Sequence, residues 1–250
     1  MAQEKVMVLN IPITNLTRND FLEKVYNRLE KKQKNTFIVT ANPEIIMSAK
    51  KLPSYQASIL QADYIVPDGS GVMLAANILD QPLQEKITGY DLLHTFLDYS
   101  SKEKKSVYFF GAKEGIAADA ADKAVEFYPS LTIAGTKHGY SGLGQNIAEE
   151  IAAAKPDFVF VGLGAPLQEK WIVDYRHLFP HSILMGVGGS FDVLSGNTKR
   201  APQFWLDRNL EWLHRLVTQP VRAKRMIKLP LFLVEVYKQK RKTKNSTKQQ

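Results

Sequence analysis

The 250-residue sequence contains no cysteine. That absence excludes disulfides and every thiolate metal site, and it is compatible with a reducing compartment. No apolar run approaches the roughly 20 residues that a membrane-spanning helix needs, and residues 1–17 lack the charged-then-apolar layout of a secretion signal. A protein made and kept in the cytoplasm is therefore expected. Metal-binding patterns are missing too. There is no Asp-x-Asp pair and no His-Glu-x-x-His, and the one close pair of histidines, His177 and His181, flanks Pro180, which spoils a common helical face. No bound metal and no cofactor are expected, and no repeat of fixed period is visible.

What is present is a composition with 44% hydrophobic residues, enough to bury a substantial core. The net charge of +8 is unevenly placed: residues 201–250 carry 12 Lys and Arg against Asp207, Glu211 and Glu235, a net of +9, which leaves residues 1–200 at −1. A polyanionic partner is thus a matter for the C-terminal fifth alone.

Short runs rich in β-branched and aromatic residues, at 36–40, 64–66, 107–110, 131–134, 158–161 and 183–187, alternate with helix-like stretches. The alternation predicts an α/β fold, a Rossmann-like, mainly parallel sheet flanked by helices. Apolar residues on both faces of the runs at 158 and 183 fit strands covered on both sides. Thr17 with Asp20, and Asn42-Pro43-Glu44, read as helix starts; further helices are predicted after Asp68-Gly69-Ser70 and after Gly164-Ala165-Pro166. In an open α/β sheet ligands bind beyond the carboxyl ends of the strands, so Asn42, Asp68, Gly111, Gly162, Gln168 and Gly188 are expected around one crevice. The division expected is a catalytic α/β domain over 1–200, a basic helical appendage over 201–237 and a disordered tail over 238–250, with Pro220 and Pro230 breaking the appendage.

Several of these segments carry chemistry as well as structure. Asp68, in Val66-Pro67-Asp68-Gly69-Ser70-Gly71, is ordinary turn chemistry, but a carboxylate at the sheet edge is also what activates an attacking hydroxyl. Thr40 and Asn42 adjoin the same edge, with Asn42 read first as a helix cap. Gly162-Leu163-Gly164 lacks the third glycine of a dinucleotide fingerprint, because Leu167 holds that place. A glycine turn before a helix still suits a diphosphate, and Gly188-Gly189 has the same layout; either can instead serve only to permit a tight turn. In the tail, Arg222 and Arg225 can share a helix face. Mixed with Trp, Leu, Ile and Phe, these cations suit an anionic bilayer or a phosphate, while a plain solvated surface is the simpler reading.

Taken together, six ordered motifs resemble one family. They are Val39-Thr40-Ala41-Asn42-Pro43-Glu44, Pro67-Asp68-Gly69-x-Gly71, Thr88-Gly89-x-Asp91, Gly162-Leu163-Gly164-x-Pro166-x-Gln168-Glu169, Gly188-Gly189-x-Phe191-Asp192 and Glu211-Trp212-x-x-Arg215-Leu216. Over roughly residues 5–230 the chain is similar to the WecG/TagA/CpsF glycosyltransferases. The resemblance implies inverting transfer of an N-acetylmannosamine-type sugar from UDP to undecaprenyl-diphosphate-linked N-acetylglucosamine, at the inner face of the plasma membrane. It implies Asp68 as catalytic base, with Thr40 and Asn42 as crevice residues needed for activity. Lys86, Gly162, Gly164, Gln168, Gly188, Gly189 and the appendage residues Arg215, Arg222 and Arg225 are implied on the substrates. Where many members have Arg, this chain has Lys86, which keeps the charge and loses the bidentate fork. The Lys-rich tail looks more like the TagA branch, which uses UDP-N-acetylmannosamine in wall teichoic acid linkage, than the WecG branch, which uses the uronic acid. The partners implied are these two substrates and an anionic membrane surface, with no nucleic acid; a homo-oligomer is compatible with the sequence. Two readings from other classes stay open here: a nucleic-acid-binding protein and a non-catalytic nucleotide-sugar-binding scaffold.

Overall fold

The structure is a computed structural model that describes residues 4–199, 201–202, 204–205 and 228–247. Its centre is a six-stranded, wholly parallel sheet in the order β4-β3-β8-β7-β5-β6. These strands are β3 (Thr36–Ala41), β4 (Tyr64–Pro67), β5 (Ser106–Gly111), β6 (Thr132–Lys137), β7 (Phe158–Gly162) and β8 (Ile183–Gly186). Every predicted strand run falls on one of them, and the α/β class expected from the sequence is the one observed.

The period-2 alternation of each strand divides the core in two. Phe37, Val39, Tyr108, Phe110, Val159, Val161 and Leu184 point to one face. There they meet α2 (Pro43–Lys51), α3 (Pro53–Ile59), α4 (Ser70–Ile78), α7 (Gln145–Ala153) and α8 (Leu167–Tyr175). Their neighbours Ile38, Val107, Phe109, Phe158, Phe160, Ile183 and Met185 point to the other, where α1 (Arg18–Glu30), α5 (Gly89–Lys102), α6 (Ile116–Phe127) and α9 (Ser190–Leu194) cover them. Central strands buried on both sides must be apolar at every position, and β7 is buried along its whole length. Sequence-local signals set the helix starts. The Thr17 side chain accepts the Asp20 N–H at the head of α1, and Asn42 Oδ1 accepts the Ile45 N–H at 3.0 Å at the head of α2.

The amino edge of the sheet is closed by side chains. Asp63, just before β4, accepts the Phe37 N–H at 2.9 Å and pairs with Arg28 and Arg176 at 3.0 and 2.7 Å. Arg176 also donates to Asn35 Oδ1. Asp157, just before β7, accepts the Ser106 N–H at 2.8 Å, and the Ser182 hydroxyl donates to Pro156 O. Strand N–H groups at the starts of β3 and β5, those of Phe37 and Ser106, thus find carboxylates.

Outside the main sheet, β1 (Lys5–Val8) and β2 (Ile11–Thr14) form an antiparallel hairpin whose two-residue turn has Leu9 and Asn10 at φ 47° and 68°. Positive φ at both positions matches the twist of a tight hairpin. The last helix, α10 (Lys228–Thr247), packs on this hairpin and on the domain. Phe232 and Val236 are buried in the core, Gln239 accepts the Leu9 N–H and donates to Met7 O, and Lys50–Glu235 and Lys240–Asp80 are ion pairs.

Two expectations are corrected here. Residues 238–247, which composition predicts to be disordered, are helical; anchoring by Phe232, Val236 and Gln239 supplies the tertiary contacts that a Lys-rich segment lacks by itself. Pro230 does not break the chain but lies in the first turn of α10, where a missing N–H costs nothing. Of the helical appendage expected over 201–237, residues 206–227 lie outside the described residues.

Candidate active site

The strand order brings the carboxyl ends of β4, β3, β8, β7 and β5 side by side. At the end of β3, Thr40 is buried on the last strand turn before Asn42 caps α2. Next to it the ladder runs one step past β4: the Asp68 N–H donates to Ala41 O at 2.9 Å, which holds the half-buried Asp68 at the sheet edge. Gly69 then turns the chain at φ 88° into α4, and an added Cβ there would meet nothing within 4 Å, so the space beside Gly69 is open.

The Lys86 segment reaches the same point. Ile87 N–H donates to Pro67 O at 2.9 Å, which places Lys86 beside the end of β4. Thr88 caps α5 by accepting the Asp91 N–H, and a Cβ on Gly89 would stand 2.9 Å from Thr40 Oγ1. The Thr-Gly-x-Asp motif is therefore the device by which α5 sits directly on Thr40, a close approach only glycine permits.

On the other side, β5 and β7 approach so closely that a Cβ on Gly111, at φ 125°, would lie 2.5 Å from the Gly162 carbonyl carbon. Gly164 and Gly188, at φ 77° and 52°, both border open space. The N-terminus of α8 follows Gly164 and that of α9 follows Gly189. Backbone turns of this kind offer N–H groups and positive helix ends to an anionic group.

Gln168 is not a freely presented pocket residue. It is 3% exposed, its Oε1 accepts the Gly188 N–H at 2.9 Å, and its Nε2 donates to Glu169 Oε1 at 2.8 Å. A Cβ on Gly186 would lie 2.5 Å from Gln168 Nε2, so a larger residue there would have to displace this amide. Burial raises the pKa of Glu169, against the opposing hydrogen bonds from Gln168 and its own backbone and the influence of the nearby Tyr55 hydroxyl. Tyr55 carries no sequence signal that could have identified it; Glu169 stood in a motif without a role. Gly71 is a third residue whose part emerges only in three dimensions, since a Cβ there would lie 2.6 Å from Pro43 and 2.9 Å from Leu229 of α10.

The structure thus brings Thr40, Asn42, Asp68, Lys86, Gly162, Gly164, Gln168, Gly188 and Gly189 to one edge of the sheet. Arg215, Arg222 and Arg225 lie outside the described residues. Among the described residues, no three His, Cys, Asp or Glu side chains converge to hold a metal ion, and no helix is long and apolar enough to cross a membrane.

Comparison with known proteins gives this arrangement a context. Residues 6–246 match the model of the Glycosyl transferase WecG/TagA/CpsF family. A protein of Bacillus spizizenii (strain W23) is 46% identical over 208 residues, 83% of this chain and 81% of that protein. One of Bacillus subtilis (strain 168) is 39% identical over 94% of this chain and 92% of its own length, and one of Staphylococcus aureus (strain NCTC 8325) is 36% identical over 97% and 96%. All three are named N-acetylglucosaminyldiphosphoundecaprenol N-acetyl-beta-D-mannosaminyltransferase.

Proposed function

Because the chain belongs to the WecG/TagA/CpsF glycosyl transferase family, we propose that it moves N-acetylmannosamine from UDP-N-acetylmannosamine to undecaprenyl-diphosphate-linked N-acetylglucosamine, the linkage step of wall teichoic acid synthesis. It is a hexosyltransferase by its kinship with the three enzymes above. The observation that carries the mechanism is the ladder bond from Asp68 to Ala41, which holds a carboxylate at the open carboxyl edge beside Thr40 and the Lys86 segment.

In this reading the acceptor sugar hydroxyl attacks the anomeric carbon from the face opposite the UDP. Asp68 takes the hydroxyl proton as the new C–O bond forms and the bond to the diphosphate breaks, so the anomeric configuration inverts in one displacement. The departing diphosphate gathers negative charge. Glycine-turn N–H groups at Gly164 and Gly189, with Lys86, are proposed to stabilise it. Arg215, Arg222 and Arg225, which lie outside the described residues, are proposed to complete the site and to help exclude water from it.

The acceptor's polyprenyl chain stays in a bilayer, so the enzyme has to work at a surface; we place it peripherally on the cytoplasmic face. Helix α10 supports this. Its inner face is docked through Phe232, Val236 and Gln239, while Leu231, Val234 and Tyr237 recur every three residues and are about half exposed, with Arg241 on the same stripe. Such a face suits an anionic surface, to which each Lys or Arg contributes roughly 1 kcal/mol.

The test is turnover of UDP-N-acetylmannosamine on lipid-embedded acceptor, read as released UDP and disaccharide lipid. Asp68→Asn is expected to bind the donor yet slow transfer by about 10²- to 10⁴-fold; near-parental turnover would place the base elsewhere. Co-sedimentation with vesicles containing phosphatidylglycerol, but not with pure phosphatidylcholine, is expected for the surface reading, and equal partition to both would contradict it.

A further inference from the structure

Gln168 and Glu169 open α8, and the Gln168 amide has both ends engaged: oxygen to the Gly188 N–H, nitrogen to Glu169 Oε1. A glutamine amide is nearly symmetric in shape, so its neighbours decide which end points where. At one end Gly188 offers only a donor. At the other, Glu169 Oε1 accepts. Reversing the amide would set nitrogen against the Gly188 N–H, and the amide packs closely on Gly186.

Glu169 itself is 1% exposed, and no cation pairs with it among the described residues. Its second oxygen and the hydroxyl of Tyr55, which is 3% exposed, are both buried without a hydrogen-bond partner. The two groups lie near enough for Glu169 to raise the ionisation of the phenol on top of the larger effect of burial, yet outside ordinary hydrogen-bond geometry. A charged carboxylate in such a place would cost several kcal/mol without a partner. A protein keeps such a group for a purpose other than stability, and here it is adjacent to the crevice.

We infer that Glu169 is a positioning residue: its carboxyl sets which end of the Gln168 amide meets the Gly188 N–H, and so fixes the turn at 186–189 against the substrate crevice. The carboxyl is uncharged, with its proton on Oε2, the oxygen that Gln168 does not engage. Its part is hydrogen bonding and shape, not charge. The role rests on the transferase reading, since the turn it holds is the one proposed to meet the leaving diphosphate.

Two variants of the full chain separate this role from simple packing. Glu169→Leu keeps the volume and removes the acceptor; Glu169→Gln keeps an acceptor oxygen and mimics an uncharged acid. With lipid-linked acceptor, E169L is expected to fold and to lose about tenfold to hundredfold in kcat/KM for the UDP-sugar, the scale of a small misplacement of groups around a reacting centre. Hydrogen exchange at the Gly188 amide is expected to speed up in the same variant. E169Q is expected to stay within about threefold of the parent, with an unchanged pH profile between pH 5.5 and 8 and a protected Gly188 amide. Parental kcat/KM in folded E169L would overturn the inference, because a packing residue costs stability and not turnover per folded molecule. So would an E169Q as inactive as E169L, since that outcome demands a charged carboxylate. Should E169L not fold, E169Q decides alone: parental turnover with a protected Gly188 supports the role, and loss of either sinks it. A parent chain without turnover would fail the transferase reading instead, and Gly188 exchange would still report on Glu169.

Discussion

The two edges of the parallel sheet solve opposite problems with the same strands. At the amino edge, the backbone groups left over by the ladder are taken by side chains: Asp63 receives Phe37 N–H and Asp157 receives Ser106 N–H, with Arg28, Arg176 and Asn35 closing the gap around Asp63. At the carboxyl edge side chains withdraw. Gly69, Gly164 and Gly188 carry positive φ beside open space. One polar side chain there, Gln168, is spent on shaping a turn. One edge is closed by side chains and the other is shaped by glycine turns beside open space, and with the proposed function this predicts that stability and turnover respond to different mutations.

The largest expected effect belongs to the carboxyl edge. Asp68→Asn should lose two to four orders of magnitude in rate while its thermal midpoint stays within the narrow range of a surface substitution. A large fall in stability would mean that Asp68 is a structural residue and would break the contrast between edges. Next comes Gly111→Ala. The added Cβ meets the Gly162 carbonyl at 2.5 Å and the backbone sits at φ 125°, so a destabilisation of at least about 2 kcal/mol is expected from strain alone, read by urea unfolding. A parental midpoint would show that the β5–β7 contact is looser than described.

Asp63→Asn should be the smallest and should act on stability alone. Burial pushes the Asp63 pKa up, but the Phe37 N–H, the Arg176 hydrogen bond and the charges of Arg28 and Arg176 outweigh it, and the net result is a lowered value. A group lowered in the folded state stabilises above its unfolded value, near 3.9, and that contribution is lost as pH falls through the folded value. The variant is expected to cost about 1–3 kcal/mol at pH 7, to flatten the fall of thermal stability below about pH 4, and to leave turnover per folded molecule unchanged. A change in kcat would tie the amino edge to the chemistry and remove the distinction.

Much of this was readable along the chain because its signals are local. β-branched runs identify all six sheet strands, and Thr17 and Asn42 announce their helices by residue type at the cap. The loops carrying Asp68, Gly164 and Gly188 follow from strand ends, so the position of the site follows as well. What stayed hidden depends on contacts distant in sequence. The first hairpin has four-residue strands and turns through Leu9-Asn10 without a glycine, so nothing local marks it. The lysines after 237 look like a solvated tail until Gln239 and Val236 are seen against the domain. Glu169 reads as an ordinary first-turn acid of α8, and its burial beside Tyr55 is a property of packing. Motif resemblance implies Gln168 on the substrates, and only the geometry shows that its amide also braces the turn beside it.

Gln239 carries a consequence of its own. Its side-chain amide offers the hairpin one acceptor and one donor, as a neighbouring strand would, so a single residue finishes a sheet edge begun at the other end of the chain. The two partners in the Leu9 bond are 230 positions apart. Loop-closure entropy must be met before so distant a contact stabilises anything. On a ribosome the hairpin therefore waits, with that edge bonded to water, until Gln239 has emerged. The docking of α10 and the completion of the first strands are then a single late event in the life of the chain.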